Sequence, residues 1–473
     1  MVQFRIMETK TFIPKASPDP LSELEEFLKP FAPLFRRATS RHSLERYITG
    51  LLTDLGRKNC DTIAAAVAGT SIERLQHLLT DAEWDPESMD KERVQRFIPI
   101  SPPAGVLILD DTGLPKQGKS SVGVARQYSG TLGKVANCQV VVSAEYMADE
   151  PSSSTPLHWP VSSQLYLHES WAKDPKRREQ AHVPEQVEFQ TKLEIALALV
   201  DRAKEWGVPF AYVVTDAGYG QHHGFLSGLE ERNLLYVCGV ERDFGVRLPE
   251  EVQAAEAAPL PEYQGKGRPR RPRPAPLYKA EGVIRDLPEG SWRTISWREG
   301  TKGQLCREFV AVRVHRATGN PDNDFSTTRS GVSTGPEGWL LGERPVGGQG
   351  DWKYYFSNLP ADTPLQRLAE LAHSRWVIEQ FYEDSKGECG LDDYQGRRWD
   401  GLHRHLALVM LAYSFLVLLR QRMSDSESEG GDFSPLQGDA IVPGGTSPGA
   451  GVALTGHGHL AHRHRHSQNP VFS

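Results

Sequence analysis

The segment His373-Ser-Arg-Trp-Val-Ile-Glu-Gln-Phe-Tyr-Glu-Asp-Ser-Lys386 has one charged face and one apolar face when it is read as a helix. Arg375 and Glu379 lie four residues apart and Lys386 follows two turns later, so all three project from one side. A carboxylate held between an arginine and a lysine suits an anionic substrate that is bound through a metal ion. We therefore expect this helix to form part of an active site.

Two apolar runs earlier in the chain, Val106-Leu-Ile-Leu-Asp-Asp111 and Tyr212-Val-Val-Thr-Asp216, end in aspartate and predict buried strands. Taken alone, an aspartate after a strand is more often a turn or cap residue. Together, two strand ends and one helix predict a catalytic metal site held by Asp111, Asp216 and Glu379. Carboxylate oxygens are preferred ligands of Mg²⁺, and paired ions promote phosphoryl transfer. We expect two ions, Mg²⁺ or Mn²⁺.

Composition limits the class of protein. The 473-residue chain is 38% hydrophobic and 24% charged, which is typical of globular domains, and its net charge is -7. That charge argues against indiscriminate coating of nucleic acid, although it leaves room for a local basic groove. The five cysteines form no Cys-x-x-Cys pair, which favours a reducing compartment. The N-terminus has no apolar signal region, and the most apolar run, residues 406–419, is too short to span a bilayer, so we expect a cytoplasmic protein with no membrane partner.

The order of predicted elements indicates an α/β protein with a ribonuclease-H-like catalytic core, a β-rich insertion and an N-terminal helical domain. A helix-turn-helix pattern, in which Ser71 is the expected N-cap of the second helix, favours DNA binding by the first domain. An ordinary helical bundle with a solvated basic face is the alternative. The expected segments are 1–98 (helical, DNA-binding), 99–220 (first part of the core), 221–360 (insertion), 361–423 (catalytic helices) and 424–473 (disordered tail).

Several further residues are candidates for contact with DNA. Arg375 and Lys386 are expected to hold phosphates beside Glu379. A basic, proline-rich loop would add backbone contacts, although a solvated linker is the simpler interpretation. Aromatic side chains in the insertion are more often core residues, but one at a hairpin tip can stack on an unpaired base. These last two groups are Arg268, Arg270 and Arg271 in the loop, and Trp292 and Trp297 in the insertion.

Specific motifs resemble those of bacterial insertion-sequence transposases of the DDE class, within the cut-and-paste branch that carries a β-strand insertion. That branch has a Tyr-x2-Arg-x3-Glu-x6-Lys signature, which this chain matches at all positions except the Tyr, where Ala372 stands. The Asp-Asp-Thr element matches with Asp111 as metal ligand and Asp110 as the less favoured alternative. The stretches 110–116, 121–133 and 390–394 also resemble one subgroup of these enzymes.

The resemblance implies DNA as the partner, with terminal inverted repeats bound by a homodimer that forms on DNA. It also implies metal-dependent nicking, a hairpin intermediate and strand transfer into target DNA. Two alternatives remain: a catalytically inactive, transposase-derived regulator, and a ribonuclease-H-like nuclease. The compositional break near residue 424 raises the hypothesis of a frameshifted C-terminus.

Overall fold

A computed structural model describes residues 22–130, 133–150, 153, 155–259, 274–300, 303–317 and 334–428. The predicted basic loop contacts Arg268, Arg270 and Arg271 lie outside these residues, as does the predicted tail beyond Ser428. Within them the protein is a mixed α/β structure, as predicted.

The N-terminal part is helical because its apolar residues recur at helical spacing. Ser71 caps the second helix of the predicted helix-turn-helix by accepting from the amide of Arg74 at 3.4 Å, and Gly69 makes the turn with φ +75°. These helices pack against the last helix of the chain, to which Tyr47 is joined by a 2.8 Å hydrogen bond with His405. The helices are α1 Ser22–Leu28, α2 Ala38–Leu52, α3 Cys60–Ala66, α4 Ile72–Thr80 and α5 Pro86–Phe97.

Twelve strands of the described residues form one mixed sheet. They are β1 Gly105–Pro115, β2 Ala125–Ser129, β3 Lys134–Met147, β4 His158–Leu165, β5 Phe210–Thr215, β6 Leu235–Val240, β7 Gly245–Arg247, β8 Tyr278–Lys279, β9 Arg293–Gly300, β10 Gly303–Ala317, β11 Thr334–Arg344 and β12 Lys353–Ser357. The order is β2-β3-β1-β5-β6-β12-β11-β10-β7-β8, with β4 on β3 and β9 on β10. The strands of the predicted insertion therefore extend the core sheet, since β6 pairs in parallel with β5 of the core and β12 pairs with β6.

Two sequence predictions differ from the structure. The aspartates at the end of the first apolar run do not stop it, because β1 continues to Pro115 in antiparallel pairing with β3. Within the segment 221–360, which was predicted to be β-rich, residues Ala280–Arg285 form a helix. Ala280, Val283 and Ile284 recur at helical spacing, and Ile284 packs so closely on Gly342 of β11 that a Cβ there would lie 2.3 Å from it.

The remaining helices flank the sheet and complete the catalytic side of the molecule. The predicted helix around Glu379 begins later than expected, because the chain turns at Ser374 between two helices. The helices are α6 Glu169–Ala172, α7 Pro175–Gln180, α8 Lys192–Glu205, α9 Ala217–Gly220, α10 His223–Glu231, α11 Pro249–Ala257, α12 Ala280–Arg285, α13 Leu365–His373, α14 Trp376–Glu388 and α15 Trp399–Ser428.

The last helix is apolar because it forms the centre of the helical layer. Its Trp399–Met423 part is long and apolar enough to cross a membrane, the one such helix among the described residues. However, 72% of its most apolar window is buried inside the protein. That burial is typical of a core helix. The helix also continues to Ser428, past the expected start of the tail.

Candidate active site

Two aspartates meet where neighbouring parallel strands separate. β1 and β5 stay paired up to Leu109 and Thr215, and the next residues are Asp110 and Asp216. Burial, followed by the charge of Asp216, raises the pKa of Asp110 to about 7 against the opposing charge of Arg375. Burial also raises the pKa of Asp216. A partly buried pair of acids with raised pKa values at a strand edge is a candidate functional site.

Glycines allow the loop that carries Asp216 to lie against β6. A Cβ on Gly239 of β6 would lie 2.9 Å from the amide nitrogen of Ala217, and one on Gly220 would lie 2.0 Å from the carbonyl oxygen of Gly239. Larger residues at these positions would therefore push the turn away from the sheet. The Asp216-Ala-Gly-Tyr-Gly sequence thus fixes the position of the second aspartate.

Arg375 joins the aspartate pair to the predicted catalytic helix. Its Nη1 donates to Asp110 Oδ2 at 2.7 Å, and its Nη2 contacts Glu379 Oε1 one turn along α14. The Glu379 side chain is 56% exposed, whereas that of Asp110 is 13% exposed. Arg375 and Glu379 lie next to each other, as predicted. The aspartate that contacts Arg375 is Asp110.

Asp111 projects from the opposite face of β1, since successive strand residues alternate. Lys192, at the start of α8, places its Nζ 2.9 Å from Asp111 Oδ1 and 3.0 Å from Oδ2. Tyr219 donates to Asp111 Oδ2 at 3.2 Å. Sequence reasoning missed Lys192 and Tyr219 as site residues. The available signals were Lys192 at the start of a predicted helix and Tyr219 within the Asp216 turn.

Carboxylate oxygens such as those of Asp110, Asp216 and Glu379 are ligands that divalent ions prefer. One of these oxygens is buried without a hydrogen-bond partner. Asp216 Oδ1 is buried and has no hydrogen-bond partner, while Arg375 lies between Asp110 and Glu379 as a positive group. In the described part of the chain, no three acidic, histidine or cysteine side chains are already arranged as a metal cluster. The oxygen ligands at this site are therefore of the type that binds a divalent ion. Arg375 and Lys192 form ion pairs with carboxylates of this region.

Lys386 and Tyr382 fasten α14 to β1. Lys386 Nζ donates to Thr112 Oγ1 at 2.6 Å, and Tyr382 OH donates to the carbonyl oxygen of Asp110 at 2.9 Å. Burial lowers the pKa of Lys386. Lys386 thus has a structural role in this state, and its predicted contact with DNA phosphate stays a prediction.

The two candidate tryptophans have different surroundings. Trp292 is buried, packs edge-on against Trp352 at 5.2 Å between ring centroids, and lies under the Arg344 guanidinium at 4.1 Å. Trp297 lies in the middle of β9, half-buried and stacked on His373. Neither occupies the tip that joins β9 to β10, so a hairpin-tip position is wrong for both.

A cleft of about 550 Å³ opens beside Asp216 and Glu379. Its walls carry basic, acidic and aromatic side chains from the region that was predicted as the insertion, including Arg242, Arg285 and Trp352. Residues between 221 and 360 therefore form one wall of the candidate active site.

The model of a family described as DDE superfamily endonuclease matches residues 30–304, which is more than half of the chain. The chain belongs to the DDE superfamily endonucleases. The match includes Asp110, Asp111 and Asp216 and ends before Glu379, so it does not bear on that residue. Members of this superfamily generally use divalent metal ions, which agrees with the donor chemistry of the site. The predicted family is confirmed.

A curated relative of this DDE endonuclease is described as a probable transposase for insertion sequence element IS701, from Microchaete diplosiphon. It is 27% identical over 237 residues, which are 50% of this chain and 58% of the relative. The chain thus matches less than two thirds of that protein's length. A solved structure titled as a cryo-EM structure of piggyBac transposase synaptic complex with hairpin DNA covers 87% of this chain and 74% of its own. Its sequence identity to this chain is 10%, and the TM-score is 0.38.

Proposed function

We propose that this DDE endonuclease is a DNA transposase that cleaves DNA and transfers strands of an insertion sequence with the help of divalent metal ions. The main observation, in a chain of this family, is that Arg375 links Asp110, which lies beside Asp216 and is partly buried, to Glu379 on α14. The relative described as a probable insertion-sequence transposase supports the same activity.

The order of the first strands supports a ribonuclease-H-like core. Along the sheet, β4, β3 and β1 are antiparallel neighbours, and β1, β5 and β6 follow in parallel. This arrangement places the end of β5 next to the middle of β1 and brings two acidic positions together. α14 then adds a third acid from outside the sheet. Such a core supplies acids from three separate parts of the chain to one site.

Asp216 and Glu379 are the proposed metal ligands from the strand end and the helix, together with one of the two adjacent aspartates of β1. The family resemblance favours Asp111, whereas the contact with Arg375 favours Asp110. When bound, Mg²⁺ or Mn²⁺, expected as two ions, would supply the charge that activates the attacking oxygen and stabilises the leaving oxygen. Asp216 Oδ1 has no hydrogen-bond partner and could accept such an ion.

The protein's own side chains would position the phosphodiester. Arg375 is 30% exposed and lies at the cleft, where its guanidinium can form a charge-assisted pair with a phosphate. Tyr382 and Lys386 hold α14 against β1, which keeps Glu379 near the aspartates. Water would attack in the first cleavage, and the freed 3′-hydroxyl would attack in strand transfer.

The proposed partners are the terminal inverted repeats of an insertion sequence and a target DNA, with a homodimer formed on the DNA. Exposed Arg36, Arg37 and Arg41 near α2 are candidates for backbone contacts by the N-terminal helices. Lys58 is not one of them, since its Nζ is buried and donates to the carbonyl oxygen of Leu51 at 2.6 Å. The loop arginines 268, 270 and 271 stay candidates from sequence.

The test is cleavage of labelled DNA that carries the ends of the element, with Mg²⁺ or Mn²⁺. Wild type should nick the ends, and Glu379→Gln should lose nicking while it still binds DNA. Glu383→Gln is the matched control, because this exposed glutamate lies one turn further along the same helix. Binding without cleavage in all three proteins would favour an inactive regulator, and cleavage of branched DNA regardless of the ends would favour a nuclease.

A further inference from the structure

The ammonium group of Lys192 contacts both carboxylate oxygens of Asp111, as a bound cation would. Its Nζ lies within 3.0 Å of both carboxylate oxygens, and it is the ion-pair partner of this aspartate. A metal ion on Asp111 would need one or both of the same oxygens. Lys192 and such an ion therefore compete for one position.

We propose that Lys192 is a resident counter-ion of Asp111, which a divalent ion must displace before Asp111 can act as a ligand. The inference rests on the proposed function, because it assumes that the site takes a divalent ion. Lys192 would then influence the affinity of the site for a divalent ion although it is not itself a metal ligand.

The backbone around Lys192 is fixed, whereas its side chain is free to move. Thr191 caps α8 in a reciprocal arrangement with Glu194, whose carboxylate accepts from the Thr191 amide at 2.7 Å. The Lys192 side chain is 33% exposed and has a flexible four-carbon stem. Its ammonium can thus leave Asp111 for solvent without unwinding the helix.

Asp111 keeps a second partner when Lys192 departs. Tyr219 donates to its Oδ2 at 3.2 Å from the turn that follows Asp216. Asp111 would therefore hold its orientation while its cation is exchanged.

Removal of Lys192 should strengthen metal binding, because the positive charge that repels the incoming ion disappears and Asp111 becomes available. We expect the dissociation constant for Mn²⁺ of DNA-free Lys192→Met to fall by about tenfold. Lys192→Arg keeps the charge and should stay close to wild type. Lys204→Met is the matched control, since this ammonium lies at the other end of α8 and donates to the carbonyl oxygen of Arg232 at 3.1 Å.

The experiment measures Mn²⁺ binding to the full chain by the loss of the free-ion electron paramagnetic resonance signal, with Asp216→Asn as the metal-site control. Equal binding by wild type and Lys192→Met, with weaker binding by Asp216→Asn, overturns the counter-ion proposal and leaves the proposed function standing. Weaker binding by Lys192→Met also overturns it, because Lys192 would then be positioning Asp111 for the metal. No binding by wild type overturns both proposals. Circular dichroism verifies folding, and Lys192→Gln replaces Lys192→Met if the latter does not fold.

Discussion

The indole ring of Trp297 lies flat on the imidazole ring of His373, with 3.7 Å between ring centroids and 17° between the planes. His373 ends α13, two residues before Arg375, and its Nε2 lies 3.1 Å from the buried carboxylate of Glu343. β9 and β11 therefore hold the end of α13 from two sides. Since α14 starts at this point, the strands that were predicted as an insertion fix the entry of the helix that carries Glu379.

Replacement of Trp297 should affect activity more than stability. Trp297→Ala removes one aromatic stack at a half-buried site, which costs about 0.5–1.5 kcal/mol. The freed His373 would let Arg375 and Glu379 shift, and a small displacement of catalytic groups lowers rates markedly. We expect DNA nicking to fall about tenfold, measured with end-labelled DNA.

Trp292→Ala is the comparison for this variant, because Trp292 is buried beside Trp352 and Arg344. It should lower the free energy of unfolding by about 3–5 kcal/mol, as other large-to-small core changes do. Chemical denaturation of both variants checks the contrast. Equal stability losses would show that the stack on His373 has no separate role.

Substitution of the adjacent aspartates should separate their roles. If Asp110 is the metal ligand, Asp110→Asn should lower metal-dependent nicking more than about a hundredfold, while Asp111→Asn loses about tenfold through the freed Lys192. The reverse ranking is expected if Asp111 is the ligand. The measurement is single-turnover cleavage at saturating Mg²⁺, with DNA binding followed in parallel. Equal, small losses in both variants would contradict a metal site on β1.

Arg93 should couple the N-terminal helices to the core. It is fully buried, its Nη2 donates to Asp90 Oδ1 and to the carbonyl oxygen of Val161 at 2.9 Å each, and its Nη1 lies 3.5 Å from Ser414 Oγ. Arg93→Met leaves Asp90 as a buried, unpaired acid, which should cost about 3–5 kcal/mol. Denaturant unfolding should show one transition in wild type. A variant that loses only the helical signal of the N-terminal part would indicate that this part unfolds alone.

The contribution of His405 to stability should fall as the solution becomes mildly acidic. Burial lowers the pKa of His405 to about 4, and this ring accepts from Tyr47 OH at Nδ1 while its Nε2–H donates to the carbonyl oxygen of Gly390 at 3.1 Å. The folded pKa is below the usual 6.5, so from pH 6.5 down to about 4 the unfolded chain takes up a proton that the folded chain does not. Each pH unit in that window should cost about 1.4 kcal/mol for this histidine.

Denaturation midpoints at pH 7.5 and pH 5.5 measure this loss. His405→Gln should show a smaller difference between the two pH values, because an amide does not titrate. An unchanged difference would place the acid sensitivity on other groups, among them His158 and His403, whose pKa values burial also lowers, to about 3 and about 4.

The sequence by itself determined the local elements near the site and the family. The apolar run that ends at Asp216 predicted the strand β5, and Ser71 was identified as a cap. These features depend on neighbours in the chain, which the sequence displays directly. The motif around Arg375 and Glu379 indicated the DDE class through its resemblance to a known signature, which a single sequence also displays.

Only the tertiary structure decided which face of β1 meets α14. Alternation makes Asp110 and Asp111 point to opposite sides, and the packing of a helix more than 260 residues later determines which side faces Arg375. Likewise, Lys192 meets Asp111, and Trp297 meets His373, through contacts between distant segments. No local spacing encodes such contacts, because they depend on how the sheet, its added strands and the helices pack together.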